Sequence, residues 1–121
     1  MQESRPFLVH GQWKSGERLA SVVDPFTGKL VAQVTQATES DVDEAIASTC
    51  SAATAMGQLP AHARYNMLQQ IAALLYRRRE EVAQTITAEA GKPITDAKRE
   101  VSRAIQTFTV AAEEARRIPG E

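Results

Sequence analysis

Apolar residues come in short runs or strict alternation up to residue 36, and from Thr38 onward they recur every three or four positions. A period of two belongs to strands and a period near 3.6 to helices, so the chain reads as leading β-hairpins followed by helices. In "PFLVHGQW" the apolar run stops at His10-Gly11, a turn, and resumes at Trp13, which predicts a small hairpin. A second pair of strands is predicted at Leu19–Val23 and Leu30–Thr35. Between them Asp24-Pro25 and Thr27-Gly28 supply turn chemistry, because proline presets φ and glycine accepts positive φ. Leu30, Ala32 and Val34 alternate with Val31, Gln33 and Thr35, so one face of that strand is expected to be buried.

The helical part divides at its breakers into 38–57, 61–90 and 93–118. "TESD", Thr38 to Asp41, is a helix-start pattern: a hydroxyl that can cap backbone N–H groups, with an acid three residues on. Val42, Ala45, Ile46, Ala53 and Met56 then share a face, and Gly57 and Pro60 close the segment. Residues 61–90 contain no glycine or proline, and Leu68, Ile71, Leu75, Val82 and Ile86 form a stripe along one helix or two closely joined ones. Gly91 stops that run and Pro93 suits the first turn of the next. The last helix carries Ile94, Ala97, Val101, Ala104, Phe108, Ala111, Ala115 and Ile118, a stripe that requires a partner along its length, and Pro119-Gly120 ends it.

Composition narrows the function mainly by exclusion. With 14 basic and 15 acidic residues the net charge is -1, which gives no electrostatic reason to expect nucleic acid or an anionic membrane as partner. The basic run at 77–79 is followed by Glu80 and Glu81 and reads as a solvated face. One cysteine, Cys50, excludes an internal disulfide and four-cysteine zinc patterns. The first residues are too polar for a signal peptide, so the expected compartment is the cytoplasm.

Few residues invite a chemical role. Cys50 lies mid-helix near Ile46 and Ala53, without a nearby histidine or helix N-terminus to lower its pKa, so a small thiol beside a packed face is expected rather than a nucleophile. No glycine-rich phosphate loop occurs. Arg103 sits beside Asp96, Arg99, Glu100 and Gln106, off the Val101–Ala104–Phe108 stripe. Spacing leaves two readings open: an ion pair with Glu100 three residues earlier, or a guanidinium set to grip a carboxylate or phosphate.

Along nearly its full length the chain resembles the N-terminal portion of the aldehyde dehydrogenase superfamily. The resemblance rests on "VHGQWKSGE", "VVDPFTGKLVAQV", "TESDVDEAIASTCSAA", "LPAHARYNMLQQIAALLYRRREEVAQTITAEAGKPITDAKREV" and "AAEEARRIPGE", in family order. It implies an α/β protein in which leading hairpins and long packed helices flank a Rossmann-like sheet that lies outside these 121 residues. It also implies an enzyme that oxidises an aldehyde to a carboxylic acid with NAD or NADP through a cysteine thiohemiacetal. The family's cysteine nucleophile, oxyanion-stabilising asparagine and water-activating glutamate fall beyond Glu121, as do the coenzyme-binding segments. Cys50 does not match the nucleophile, so residues 1–121 alone are expected to be inactive. The full-length protein is expected to be a homo-dimer or homo-tetramer.

The wording is similar to the lactaldehyde, phosphonoacetaldehyde and non-phosphorylating glyceraldehyde-3-phosphate dehydrogenase branch. In members that act on anionic aldehydes, such as the last of these, an arginine in an E-V-x-R context binds the substrate's phosphate; the matching residue in "EVSR" is Arg103, which the resemblance implies as an anion-binding residue. Some members also hold a monovalent cation, and the positions that match its ligands are the carbonyls of Val22 and Val23 and the carboxylate of Glu89. The competing reading is a stand-alone helical interaction module that binds another subunit with its last helix.

Overall fold

The computed structural model of the protein describes residues 4–118. Over that range the chain forms β1 (Phe7–Val9), β2 (Gln12–Lys14), β3 (Leu19–Val23), β4 (Leu30–Thr35), α1 (Glu39–Gly57), α2 (Ala61–Arg77), α3 (Arg79–Ala90) and α4 (Ile94–Arg117). Its contacts divide it into two units, Met1–Gln58 and Leu59–Glu121. The expected helix break at Pro119-Gly120 lies outside the described residues.

In the first unit, β1 pairs antiparallel with β2 and β3 with β4. Two residues join β1 to β2, and both have positive φ, 51° at His10 and 72° at Gly11. That primed geometry matches the twist of the strands it connects. The β3–β4 turn explains the D-P-x-T-G wording. The Asp24 carboxylate accepts from the backbone N–H of Phe26 (2.8 Å) and Thr27 (3.0 Å), while Gly28, at φ 70°, donates to the Asp24 carbonyl at 2.8 Å. Arg5 adds a short parallel bridge to the far edge of β4. The expected alternation of buried and exposed faces in β4 is not seen: Val31 to Val34 are all half-buried, Leu30 is exposed, and the buried residue is Thr35. With pairing on both edges but no complete second layer on either face, no face is fully covered.

Helix α1 begins with a complete capping box. The Thr38 hydroxyl accepts from the Asp41 N–H at 3.2 Å, and the Asp41 carboxylate accepts from the Thr38 N–H at 2.9 Å. Lys14 of β2 reaches Asp41 (3.3 Å) and Glu44, and His10 Nδ1 meets Ser48 Oγ at 2.6 Å, which ties the first hairpin to this helix. The apolar face predicted for α1 exists, but nothing in this unit covers it. Val42, Ile46 and Met56 are all at least half exposed, and no residue of α1 is buried.

These carboxylates set an acid limit. The backbone N–H groups of Thr27 and Phe26 hold Asp24 below its ordinary 3.8, and the Thr38 hydroxyl and N–H do the same for Asp41. Each folded-state pKa lies below the unfolded one, so the stabilisation is complete above that range and is lost as pH falls through the depressed values. The melting temperature is therefore expected to drop as the pH falls from about 4 through the depressed values, and to drop less in an Asp24→Asn/Asp41→Asn variant, which keeps acceptors but cannot titrate. Equal acid sensitivity in both proteins would refute the assignment.

In the second unit α4 lies against both α2 and α3. The uninterrupted 61–90 pattern resolves into two helices that break at Arg78, whose N–H bonds back to Leu74 at 3.0 Å. Gly91, at φ 66°, ends α3 in the left-handed conformation, and the Pro93 carbonyl accepts from Asp96 and Ala97 to start α4. The core is built from small residues: Ala83, Ala97 and Val101, with Val82, Ile86 and Ile105 packed against them. Ala72, Ala112 and Ala115 are buried as well. Ile71, Ile94 and Ile118, placed on the predicted stripes, are exposed. Helices that approach closely meet through alanines, and larger side chains are displaced to the flanks.

Candidate functional site

An open groove of about 370 Å³ lies in the second unit, lined by Leu75, Val82 and Ile86 on one side and by Glu100, Val101, Arg103, Ala104 and Thr107 on the other. Its walls are largely apolar because they are the outer surface of the small core. Its two charged side chains, Glu100 and Arg103, are one helical turn apart on α4.

The ion pair between them that spacing allowed is not formed. Glu100 pairs instead with Lys92 at 2.7 Å. Lys92 lies between the left-handed Gly91 and Pro93, in the connection that reverses the chain into α4. The other cations of α4 are occupied: Arg99 with Asp96, Lys98 with Glu80, Arg117 with Glu114, and Arg116 stacked on the Tyr65 ring. Among the described residues, the guanidinium of Arg103 has no carboxylate within ion-pair distance. A cation left unpartnered at an apolar groove is equipped to take an anion from outside the chain, and a guanidinium can do so with two parallel hydrogen bonds.

The residues matched to a cation site belong to different units, Val22 and Val23 to the first and Glu89 to the second. Val22 and Val23 end β3, where the pairing with β4 shifts register between them. Among the described strands β3 has only β4 as neighbour, and successive residues point their backbone groups to alternate edges. Glu89 is exposed, without an ion pair among the described residues.

Cys50 is exposed rather than set beside a packed face, because α1 buries nothing in this unit. Among the described residues no group of three or more His, Cys, Asp or Glu side chains gathers as a metal site, and no helix is long and apolar enough to cross a membrane. Nor is there a dinucleotide cradle among them. The sheets are two-stranded and antiparallel, and α2, α3 and α4 begin at Pro60, Arg78 and Pro93 rather than at a glycine-rich turn.

Lys92 is the residue that spacing did not flag. Its partner lies eight positions along, across a turn, beyond the i,i+3 and i,i+4 neighbours a helix reading inspects.

Comparison with known proteins gives the setting. The chain is 36% identical over 113 residues to the 3-sulfolactaldehyde dehydrogenase of Priestia aryabhattai, which covers 93% of this chain and 23% of that protein. It is 36% identical over 106 residues to the malonate-semialdehyde dehydrogenase of Bacillus pumilus, 86% of this chain and 22% of that one. Its structure superimposes on aldehyde dehydrogenase 21 of Physcomitrella patens, solved with the reaction product succinate, at a TM-score of 0.95 and 41% identity, covering 100% of this chain and 25% of the other. The chain thus spans about a quarter of the length of these relatives and matches their N-terminal part. With residues 13–121 matching the family profile as well, this protein belongs to the aldehyde dehydrogenase family.

Proposed function

We propose that this chain is the N-terminal part of the coenzyme-binding domain of an NAD(P)-dependent aldehyde dehydrogenase that oxidises a small aldehyde carrying an anionic group. The observation that carries the reading is the unpartnered guanidinium of Arg103 at an apolar-walled groove. The relatives support it chemically. Sulfolactaldehyde carries a sulfonate, malonate semialdehyde a carboxylate, and succinate is the product expected of a carboxylate-bearing aldehyde. In this reading Arg103 grips the remote anion, and Val101, Ala104 and Ile86 shelter the carbon chain, which orients the aldehyde carbon toward the reactive cysteine. That cysteine, its oxyanion donors and the coenzyme site belong to the rest of the enzyme. NAD or NADP would take up the hydride there.

The proposal includes a cytoplasmic enzyme acting as a homo-dimer or homo-tetramer, with the exposed apolar face of α1 covered by the remaining chain, whereas the stripe of α4 is already packed on α2 and α3. The test is kinetic. Wild-type and Arg103→Ala intact enzyme are compared on succinic semialdehyde and on butanal, its uncharged four-carbon analogue. Equal losses on both substrates would refute the anion role.

We also propose that the Val22 and Val23 carbonyls and Glu89 hold a monovalent cation. The intact enzyme is then expected to melt at a higher temperature in potassium chloride than in tetramethylammonium chloride at equal ionic strength. Superimposable melts would remove the site.

A further inference from the structure

We infer that Lys92 is a positioning residue for anion recognition: by pairing Glu100, it keeps the guanidinium of Arg103 free for the substrate. The inference rests on the reading of Arg103 as the anion-binding residue, and its grounds are geometric. Glu100 and Arg103 line the same groove three residues apart on one helix, the spacing at which a carboxylate and a guanidinium ordinarily pair. They do not pair here. The Glu100 carboxylate is 2.7 Å from Lys92 Nζ, with the lysine side chain 37% and the glutamate side chain 45% exposed.

Two consequences follow from charge alone. An unengaged Glu100 would compete with the substrate for Arg103, since it is a carboxylate of the same chemistry at high effective concentration. Even unpaired with Arg103, its negative charge would repel an anion entering the groove, at a separation well inside the Debye length. Lys92 counters both by holding the carboxylate toward the α3–α4 connection and offsetting its charge. Backbone geometry places the lysine there: left-handed Gly91 reverses the chain, and Pro93 starts α4 immediately after it.

The experiment uses the intact enzyme and four variants: Lys92→Met, Lys92→Arg, Lys92→Met/Glu100→Gln and Arg103→Ala, each assayed on succinic semialdehyde and butanal. Lys92→Met is expected to raise KM for succinic semialdehyde by about two- to fivefold, the scale of a partly exposed ion pair, with kcat and the butanal kinetics unchanged. Lys92→Arg is expected to retain wild-type KM, and the double variant to restore it, because the glutamine carries no charge to compete or repel. A merely structural lysine would change both substrates together, and the second substitution would not rescue it. Either result overturns the inference. A normal KM in Lys92→Met beside a raised one in Arg103→Ala would overturn the role of Lys92 and leave Arg103 standing. Selectivity unchanged in both would overturn the two together. Should Arg103→Ala fail to fold, Arg103→Lys serves in its place, since it keeps the charge and loses the two-pronged contact.

Discussion

Replacing Arg103 with alanine is expected to raise KM for succinic semialdehyde about tenfold in the intact enzyme while leaving butanal nearly untouched. The size follows from the interaction removed. A hydrogen bond to a charged group contributes about 1.5–3 kcal/mol, which corresponds to roughly ten- to a hundredfold in affinity. The lower end applies because Arg103 is exposed in this chain, where water screens the contact. The sign is clear because the guanidinium has no internal partner among the described residues: its removal leaves no orphaned carboxylate behind. A remote anchor binds ground state and transition state alike, so KM should move and kcat should not. A fall in kcat on both substrates would instead indicate damage to the α4 helix.

What was legible in the sequence follows the range of the forces involved. Local chemistry was readable. Leu19–Val23 and Leu30–Thr35 form the two strands anticipated, His10-Gly11 makes the first turn, Thr38 and Asp41 cap α1, and Gly91 ends α3. Each is decided within a few residues by steric limits on φ or by a side chain within reach of its own backbone. Burial was not readable in the same way. The pattern Val42–Ile46–Met56 marks one face of a helix, but periodicity carries no information about whether anything lies against that face. The stripe on α4 was placed on the correct side, yet its ends Ile94 and Ile118 are exposed and Ala112, which the stripe omitted, is buried. Large side chains draw attention in a sequence, whereas closely crossing helices require small ones.

The site divides along the same line. Arg103 could be singled out from its context, but not its freedom, because Glu100 stands at the ordinary pairing distance along the helix. What decides the matter is Lys92, brought over by a reversal of the chain that no periodicity describes. Glu89 and Val22–Val23 are the converse case. The family resemblance links them, while the sequence between them says nothing of how a strand end and a helix end would meet.

Introducing an aspartate at Val101 is expected to destroy the cooperative unfolding of the second unit. Val101 is 2 % exposed and contacts a core whose centre is Ala83 and Ala97, both at 0 %. Burying a valine stabilises by about 1.5–3 kcal/mol, which Val101→Asp forfeits. The new carboxylate would also be buried without a partner, and leaving a buried charge uncompensated costs about 3–5 kcal/mol. Domains of this size have a total stability on the order of 5 kcal/mol, so the two losses together suffice to unfold α3 and α4 at room temperature. Val110→Asp is the control: it lies on the same helix, is 60 % exposed, and should shift stability by no more than about 0.5 kcal/mol. Thermal melts followed by far-UV circular dichroism separate the two outcomes, since at this size each kcal/mol moves the midpoint by about 4–8 °C. Indistinguishable melts would mean that Val101 is not a core residue. The point reaches the site as well, because Val101 is also a wall of the groove beside Arg103. One face of its helix supplies the core contact and the adjoining face carries Arg103, so the groove keeps its shape only while that small alanine-rich core stays closed.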